Sequence, residues 1–287
     1  MVNKSLNTFL LLVFITFSLS LALPQSVFSA ETNFRIRAHQ SNADLNTLDD
    51  IEAEIKFGKN IAARILGQFK EYKNPKLKRY VSLVGKSLAL NSSRNEIDFH
   101  FTILDADFIN AYSAPGGYIF ITRGAIKAMR DESELAAVLA HEVAHITEKH
   151  IVNEFKIKGH DSSAAAGVSN LLGSSSSSAK VAFSQSVDNA THKLINKGFK
   201  KEEELQADNV ALLLLAATGY DPSSMRRYLK RVKRINKKTA SRSKHKPTHP
   251  PTSKRLKSLK RIAKKEGLDR LKLPKAKSRF KKHASKI

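Results

Sequence analysis

The 287-residue chain contains no cysteine. Disulfides, thiolate metal ligands and lipid attachment at a cysteine are therefore excluded. Any metal site must use histidine, aspartate or glutamate. Long apolar runs are also scarce, because no stretch after the first thirty residues approaches the ~20 residues that a membrane-spanning helix needs. We therefore expect a mature protein that is soluble or held at a membrane by its N-terminus only.

Acidic residues are nearly absent from the last part of the chain. Residues 226–287 hold 26 of the 50 lysines and arginines against Glu266 and Asp269 only, so the whole net charge of +24 lies there. Such a region favours anionic lipid head groups, an envelope surface or an acidic polymer as partner. Nucleic acid is not expected, because few aromatic residues accompany the charge and the chain is predicted to be exported. The alternative is a solvated basic region without a dedicated partner.

Residues 1–29 have the features of an export signal. One lysine precedes an apolar run from Phe9 to Leu23, and Pro24 and small residues suited to cleavage near Ser29 follow. The alternative is a retained membrane anchor, although the run is short for a spanning helix. We therefore expect an exported protein, periplasmic or secreted, with membrane association as the alternative.

The apolar periodicity predicts an α+β fold that is mainly helical. Helical spacing occurs at 50–72, 77–90, 135–146, 179–197 and 200–218, and a period of two predicts strands at 97–104 and 118–122. Helices on both sides of the strands favour a small antiparallel sheet over a repeating parallel one. We predict one domain over residues 30–265, with a serine-rich loop at 159–178 and a disordered basic tail at 266–287.

The helix at 135–146 is apolar around its circumference except for His141, Glu142 and His145. These three residues fall within one arc of about 100° on a helical wheel. Their burial costs several kcal/mol unless each finds a partner, and a bound cation would supply one. In the pattern His-Glu-x-x-His, two histidines one turn apart bind one Zn²⁺ and the glutamate faces its water. A satisfied pair of core histidines is the alternative.

The residues after this pattern narrow the class of metal site. A continuation as HExxHxxGxxH would need glycine at 148 and histidine at 151, where the chain has Glu148 and Ile151. His150 points away from the arc of the metal ligands and is interpreted as structural. The third ligand is therefore expected on a later helix.

The helix at 200–218 offers several carboxylates, and its phase distinguishes them. Glu204 lies on the buried stripe of this helix, whereas Glu202 and Glu203 point elsewhere and suit a solvated helix start. We predict Glu204 as the third ligand. Asp208, one turn later, is placed to accept the free ring N–H of a ligating histidine.

Such a site suits zinc-dependent peptide hydrolysis, with one zinc per subunit. Three protein ligands leave a position for water, whose pKa the metal lowers toward ~7. Glu142 would take the proton of this water and pass it to the leaving amine. Unfolded polypeptide is expected to add as an extra strand beside 118–122, and an ordinary internal strand is the alternative. The residues predicted to form this substrate edge are Gly116, Gly117, Tyr118, Ile119 and Phe120.

Four ordered blocks resemble the HtpX and CAAX-prenyl-protease group of zinc peptidases, which are gluzincins. The blocks are NAYSAPGGYIFITRGAI, DESELAAVLAHEVAHITEKH, ELQADNVALLLLAATGYDP and THPPTSKR. The likeness extends over about residues 50–262 and is strongest to the soluble exported branch of the group. It implies a zincin-like fold and hydrolysis of unfolded or misassembled exported proteins, a role in envelope protein quality control.

The resemblance implies the same ligands, catalytic glutamate and supporting aspartate as the pattern itself. It also implies that His249, in THP, lies close to the metal and either occludes it or helps to stabilise the oxyanion. Arg255 matches an arginine that is structural in the group. The spanning helices of integral-membrane relatives and the helical-repeat domain of some periplasmic relatives have no counterpart in this sequence, so partner recognition is not carried over.

A second hypothesis is a catalytically weak metal-binding scaffold or chaperone-like protein. It would bind clients through an edge strand and use its basic tail on anionic surfaces. Glu142 favours the enzyme, because metal binding alone does not require this carboxylate. The sequence therefore predicts a zinc metalloendopeptidase.

Overall fold

The computed structural model describes residues 47–159, 177–239, 247–285 and 287. The predicted signal at 1–29 and residues 160–176 of the predicted serine-rich loop lie outside these ranges. Within the described ranges, none of the helices is both long and apolar enough to cross a bilayer.

The described chain is mainly helical, as predicted. Its elements are α1 (Leu48–Gln68), α2 (Pro75–Ala89), β1 (His100–Leu104), β2 (Ala111–Ala114), β3 (Tyr118–Thr122), α3 (Arg123–Lys127), α4 (Glu132–Thr147), α5 (His150–Glu154), α6 (Ser177–His192), a π-helical turn (Lys193–Lys197), α7 (Lys201–Ala217), α8 (Ser223–Thr239), α9 (Ser253–Lys265), a 3-10 turn (Leu268–Arg270) and α10 (Lys277–Ala284). Side chains cap several helix starts: Asn74 accepts from Leu77 N before α2, and Asp131 accepts from Glu134 N before α4.

The three strands form a mixed sheet with the order β1-β3-β2. β3 pairs parallel with β1 and antiparallel with β2, so the prediction of an antiparallel sheet is wrong for the first pair. The reason is β2, which was not predicted: it reverses the chain between β1 and β3. Gly116 and Gly117 make the turn back into β3 with φ of 71° and 91°, a region in which glycine carries no steric cost.

The strand predicted to bind substrate is the central strand of this sheet. Both of its edges are paired, one with β1 and the other with β2, so an added chain has no backbone groups to bind. The prediction of a substrate edge at Gly116, Gly117, Tyr118, Ile119 and Phe120 is therefore wrong. The alternative, an internal strand, is correct.

Helix α4 lies at the centre of the fold. All residues from Glu132 to Thr147 are buried, as the all-round apolar pattern predicted. It packs against α2, α7, α8 and β2. Polar groups on such a helix have little access to water, so each depends on partners from the neighbouring elements.

The C-terminal region packs onto the start of α4. The carbonyl of Pro274 accepts a hydrogen bond of 2.8 Å from Ser133 Oγ, and Leu268 and Phe280 are buried. The prediction of a disordered tail at 266–287 is therefore wrong for its described part. Two apolar side chains give this basic segment a packing face that its charge did not reveal.

Glu132, the first residue of α4, is held by three donors. The hydroxyls of Tyr80 and Tyr220 each donate at 2.8 Å, and Arg279 of α10 binds both carboxylate oxygens. Burial raises the pKa of Glu132, but Arg279 and the two tyrosines outweigh it and hold the pKa below its usual range. The ionised carboxylate is thus the form that the fold stabilises.

We expect Glu132→Gln to lower the free energy of unfolding at pH 7 by about 1–3 kcal/mol, because the charged hydrogen bonds are lost. Since the folded pKa is lowered, this contribution is present above the unfolded pKa of about 4.3 and is lost as the pH falls below it. Urea unfolding measures the difference in free energy of unfolding between the variant and the native protein. This difference should be smaller at pH 3.5 than at pH 7. Glu52→Gln, at an exposed position of α1, is the control. An equal difference at both pH values would contradict the prediction.

Candidate metal centre

The packing of α4 against α7 brings the predicted ligands together. His141 and His145 lie one turn apart on α4, Glu204 is in the first turn of α7, and His249 is in the segment before α9. One ligand atom from each of the four lies within 4.8 Å of those from the other three. The carboxylate and the two α4 histidines are buried, and His249 is partly exposed. The structure thus assembles residues that are more than a hundred positions apart.

The spacing of the ligand atoms fits a tetrahedral zinc ion. The Nε2 atoms of His141 and His145 are 3.1 Å apart, and they lie 3.5 and 3.4 Å, respectively, from Glu204 oxygens. Zinc bonds of 2.0–2.1 Å in a tetrahedron would place ligand atoms about 3.4 Å apart. A nitrogen and oxygen donor set without sulfur also suits Zn²⁺. The residues therefore fit the metal that the sequence predicts, while each ligand role remains a prediction.

A buried arginine links the two carboxylates of this centre. Arg255 donates to both oxygens of Asp208 at 2.8 and 2.6 Å. Its Nη1 lies 2.5 Å from Glu204 Oε2 as an ion pair without hydrogen-bond geometry. Burial raises the pKa of both carboxyls, but nearby positive charge outweighs it and keeps both pKa values below their usual range. Arg255 acts on Asp208, and His249 and Arg255 act on Glu204.

Asp208 lies next to the first predicted ligand. Its Oδ1 is 3.2 Å from Nδ1 of His141, the ring atom opposite the one that faces the cluster. Burial and Arg255 act to lower the pKa of His141, but Asp208 and Glu204 outweigh them and raise it to about 9. The contact lacks hydrogen-bond geometry, so the supporting role that the sequence predicts for Asp208 remains a prediction.

His145 is supported by residues that the sequence analysis did not connect with it. Its Nδ1 is 2.8 Å from Nδ1 of His150, and Nε2 of His150 lies 3.3 Å from Gln206 Oε1. The Phe199 ring stacks on the His145 ring at a centroid distance of 3.8 Å. Burial lowers the pKa of His145 well below its ordinary value.

His150 lies outside the ligand cluster, but it contacts the predicted ligand His145. We expect His150→Ala to weaken zinc binding by roughly 10–100-fold, the usual effect of removing a hydrogen-bond partner of a metal ligand. Competition with a chelating dye measures this affinity. His192→Ala, at an exposed position of α6, should leave the affinity unchanged. Equal affinities for both variants would show that His150 does not hold His145.

Glu142 lies beside the cluster and is only 1% exposed. Ser113 of β2 donates a hydrogen bond of 2.8 Å to its Oε2, and Nε2 of His249 is 3.7 Å from its Oε1. The carboxylate is therefore held in one orientation, with one oxygen bound and the other turned toward His249. Sequence reasoning missed Ser113 because it missed the strand that carries it.

His249 lies beside the three predicted ligands. Its Nδ1 is 2.7 Å from Glu204 Oε1 and 3.4 Å from His141 Nε2. The preceding residue fixes the loop, since Thr248 Oγ1 donates to Asn110 Oδ1 at 2.8 Å. The structure thus has His249 beside the predicted metal ligands, and its role there remains a prediction.

A small apolar cavity opens beside Glu142, with a volume of about 50 Å³. Its apolar lining comes from the segment before β2, from α4 and from α8, and includes Ile109, Val138, Met225, Leu229 and Val232. His141, Glu142 and His249 form its polar side. The cavity therefore joins an apolar surface directly to the candidate catalytic residue.

Comparisons with known proteins agree with this chemistry. The model of peptidase family M48 matches residues 73–263. The Beta-barrel assembly-enhancing protease of Yersinia pestis is 29% identical over 187 residues, 64% of this chain and 38% of its own length. Mitochondrial metalloendopeptidase OMA1 of Schizosaccharomyces pombe is 25% identical over 184 residues, 63% and 51% of the two chains. Metalloprotease LoiP of Escherichia coli K12 is 26% identical over 140 residues, 48% and 52% of the two chains. The matched part thus spans well under two thirds of each relative.

Proposed function

The chain belongs to peptidase family M48, and from this premise we propose that it is a zinc-dependent endopeptidase acting on unfolded or misassembled exported proteins. One observation carries the proposal: Glu142, the only carboxylate on the buried face of α4 beside the cluster, adjoins three side chains that fit a zinc ion. The similar proteins are named as a protease, a metalloendopeptidase and a metalloprotease, and these names support the same reaction class.

The ion would be held by His141, His145 and Glu204. When bound, zinc supplies a Lewis acid that acidifies water and polarises a peptide carbonyl. Glu142 accepts the proton of the attacking water and delivers it to the leaving amine nitrogen. The hydrogen bond from Ser113 fixes Oε2 of Glu142, so Oε1 is the oxygen that exchanges the proton.

His249 must move for a substrate to reach this centre. Its Nδ1 lies among the ligand atoms, where it fills the side on which a peptide carbonyl would approach. We assign it the occluding role in this conformation, and a contact with the reacting groups follows only after Thr248 and His249 shift. Its Nε2 lies 3.7 Å from Glu142 Oε1, and after this shift it would be a donor to the developing oxyanion.

The apolar cavity beside Glu142 indicates the kind of side chain that is accepted next to the cleaved bond. A cavity lined by aliphatic residues favours an apolar side chain, and unfolded proteins expose such side chains. A role in envelope protein quality control rests on this preference and on the name of the Yersinia pestis relative. An anionic envelope surface is the second proposed partner, because most lysines and arginines of α8 to α10 are exposed.

Casein hydrolysis by the purified full chain tests the proposal. We expect one zinc per chain by elemental analysis and degradation of unfolded casein. A chelator should stop degradation, and added zinc should restore it. Zinc binding without any hydrolysis of casein or of other unfolded chains would instead favour the scaffold hypothesis.

A further inference from the structure

The outward face of α2 combines positive charge with exposed leucine. Beyond Pro75, the exposed residues of this helix are Lys76, Arg79, Leu83 and Lys86. Leu90, the residue after the helix, is exposed as well. Steps of three and four residues place them in a single stripe along the helix. Leu83 is 61% exposed and Leu90 75%, which makes them two of the few large apolar side chains that the described surface leaves in water.

Helix α10 lies alongside this stripe and leaves a groove with a volume of about 890 Å³. Leu83 and Val84 form part of its apolar wall, and Lys76, Arg79 and Lys282 stand along it as cations. The groove is therefore apolar along α2 and positively charged at its rim. We call the stripe and the groove together the α2–α10 face.

The positive charge of this face is not neutralised by the protein. Glu132 is the acidic residue in the groove lining, and it is buried and already bound by Arg279. Within the described ranges, no side-chain hydrogen bond or ion pair joins Lys76, Arg79 or Lys282 to another residue. An anion that enters the groove would meet three unpaired cations.

We propose that the α2–α10 face docks on an anionic lipid bilayer. Leu83 and Leu90 insert among the acyl chains, and Lys76, Arg79 and Lys282 bind lipid phosphates at the rim of the groove. Apolar side chains on a basic helix face give the mixed apolar and electrostatic attraction that holds a helix in a membrane interface. A protein partner fits the face less well, since protein interfaces are depleted in lysine at their centre.

The proposal does not depend on peptidase activity. Glu132, at the groove, precedes His141 on α4 by about nine residues, or ~14 Å along the helix axis. A docked face would leave the metal centre at a distance from the lipid. Membrane docking and hydrolysis can therefore succeed or fail separately.

A tryptophan reporter tests the docking directly, because the chain contains no tryptophan. We expect the emission of full-length Leu83→Trp to shift to the blue with vesicles of phosphatidylcholine and phosphatidylglycerol at 3:1, and not with phosphatidylcholine alone. Val181→Trp, at an exposed position of α6, should show no shift in either. This readout reports on residue 83 itself, even where the N-terminal apolar run holds the chain on the vesicle.

Two charge reversals of equal size show whether the cations of the α2–α10 face bind lipid more strongly than other cations of the basic C-terminal region. In the Leu83→Trp background, K76E/R79E/K282E should raise the lipid concentration at half-maximal shift by more than about tenfold, at ~1 kcal/mol for each cation. K257E/K260E/K264E makes the same change of charge on exposed residues of α9. It should change the lipid concentration at half-maximal shift by less than about threefold. Leu90→Ser should weaken docking without altering charge, and thermal unfolding checks that each variant is folded.

Three results would overturn the proposal. An emission of the Leu83→Trp variant that anionic vesicles leave unchanged means that the face stays in water. Equal losses for the two charge reversals mean that the C-terminal region attracts lipid diffusely. A blue shift with inorganic phosphate alone means that the groove binds a free anion and not a bilayer.

Discussion

Glu142→Gln should lower kcat for casein hydrolysis by about 10²–10⁴-fold while zinc content stays at one per chain. Glutamine has nearly the same shape and can still accept the hydrogen bond from Ser113, so the site keeps its structure. It cannot take up a proton from water. Because Glu142 lies beside the ligand atoms and is not among them, its replacement should leave metal binding intact.

The control for this variant is Glu202→Gln. It makes the same chemical change at an exposed position of α7, two residues before Glu204. We expect native rates and native zinc content. Hydrolysis at the native rate by Glu142→Gln would show that this carboxylate does not transfer the proton, and the proposed mechanism would be wrong. Loss of zinc from Glu142→Gln would instead place the residue among the ligands.

The arrangement of the candidate centre could be predicted where one helix fixes it. The α-helical period places His141 and His145 on one side of α4, and it separates Glu204 from Glu202 on α7. The same reasoning left His150 out of the ligand cluster, which the structure bears out, but it did not show that His150 contacts the predicted ligand His145. The chain leaves the helix at Glu148, and Lys149 has a φ of 53°, so the wheel no longer describes where His150 lies.

Features that depend on distant partners were not predictable. β2 is only four residues long, and all four are buried, so it lacks the alternation that marks a half-buried strand. The order of strands in a sheet is also not encoded in the sequence pattern of one strand. The sequence therefore predicted that β3 has a free edge for substrate, whereas β3 is the central strand. The C-terminal segment fully buries only two large apolar side chains in its described part, Leu268 and Phe280, too few for a periodic signal.

The second large effect is expected for Arg255→Met, which should destabilise the metal-free protein by about 3–5 kcal/mol. Arg255 is 2% exposed and compensates Asp208 and Glu204, both of them buried. Burial opposes its charge, but these two carboxylates keep the pKa of Arg255 above its usual range. Methionine fills similar volume without charge, so two carboxylates would remain buried without their cation.

Zinc should reduce this destabilisation, because the ion neutralises Glu204 when the arginine is gone. Urea unfolding of Arg255→Met should therefore show a smaller loss of unfolding free energy with zinc than with a chelator. Arg261→Met, at an exposed position of the same helix α9, should change the free energy of unfolding by less than about 0.5 kcal/mol in both. A similarly small change for Arg255→Met would mean that Asp208 and Glu204 do not need its charge. A large loss that zinc leaves unchanged would mean that Asp208 alone requires the arginine, and that the metal does not bind at Glu204.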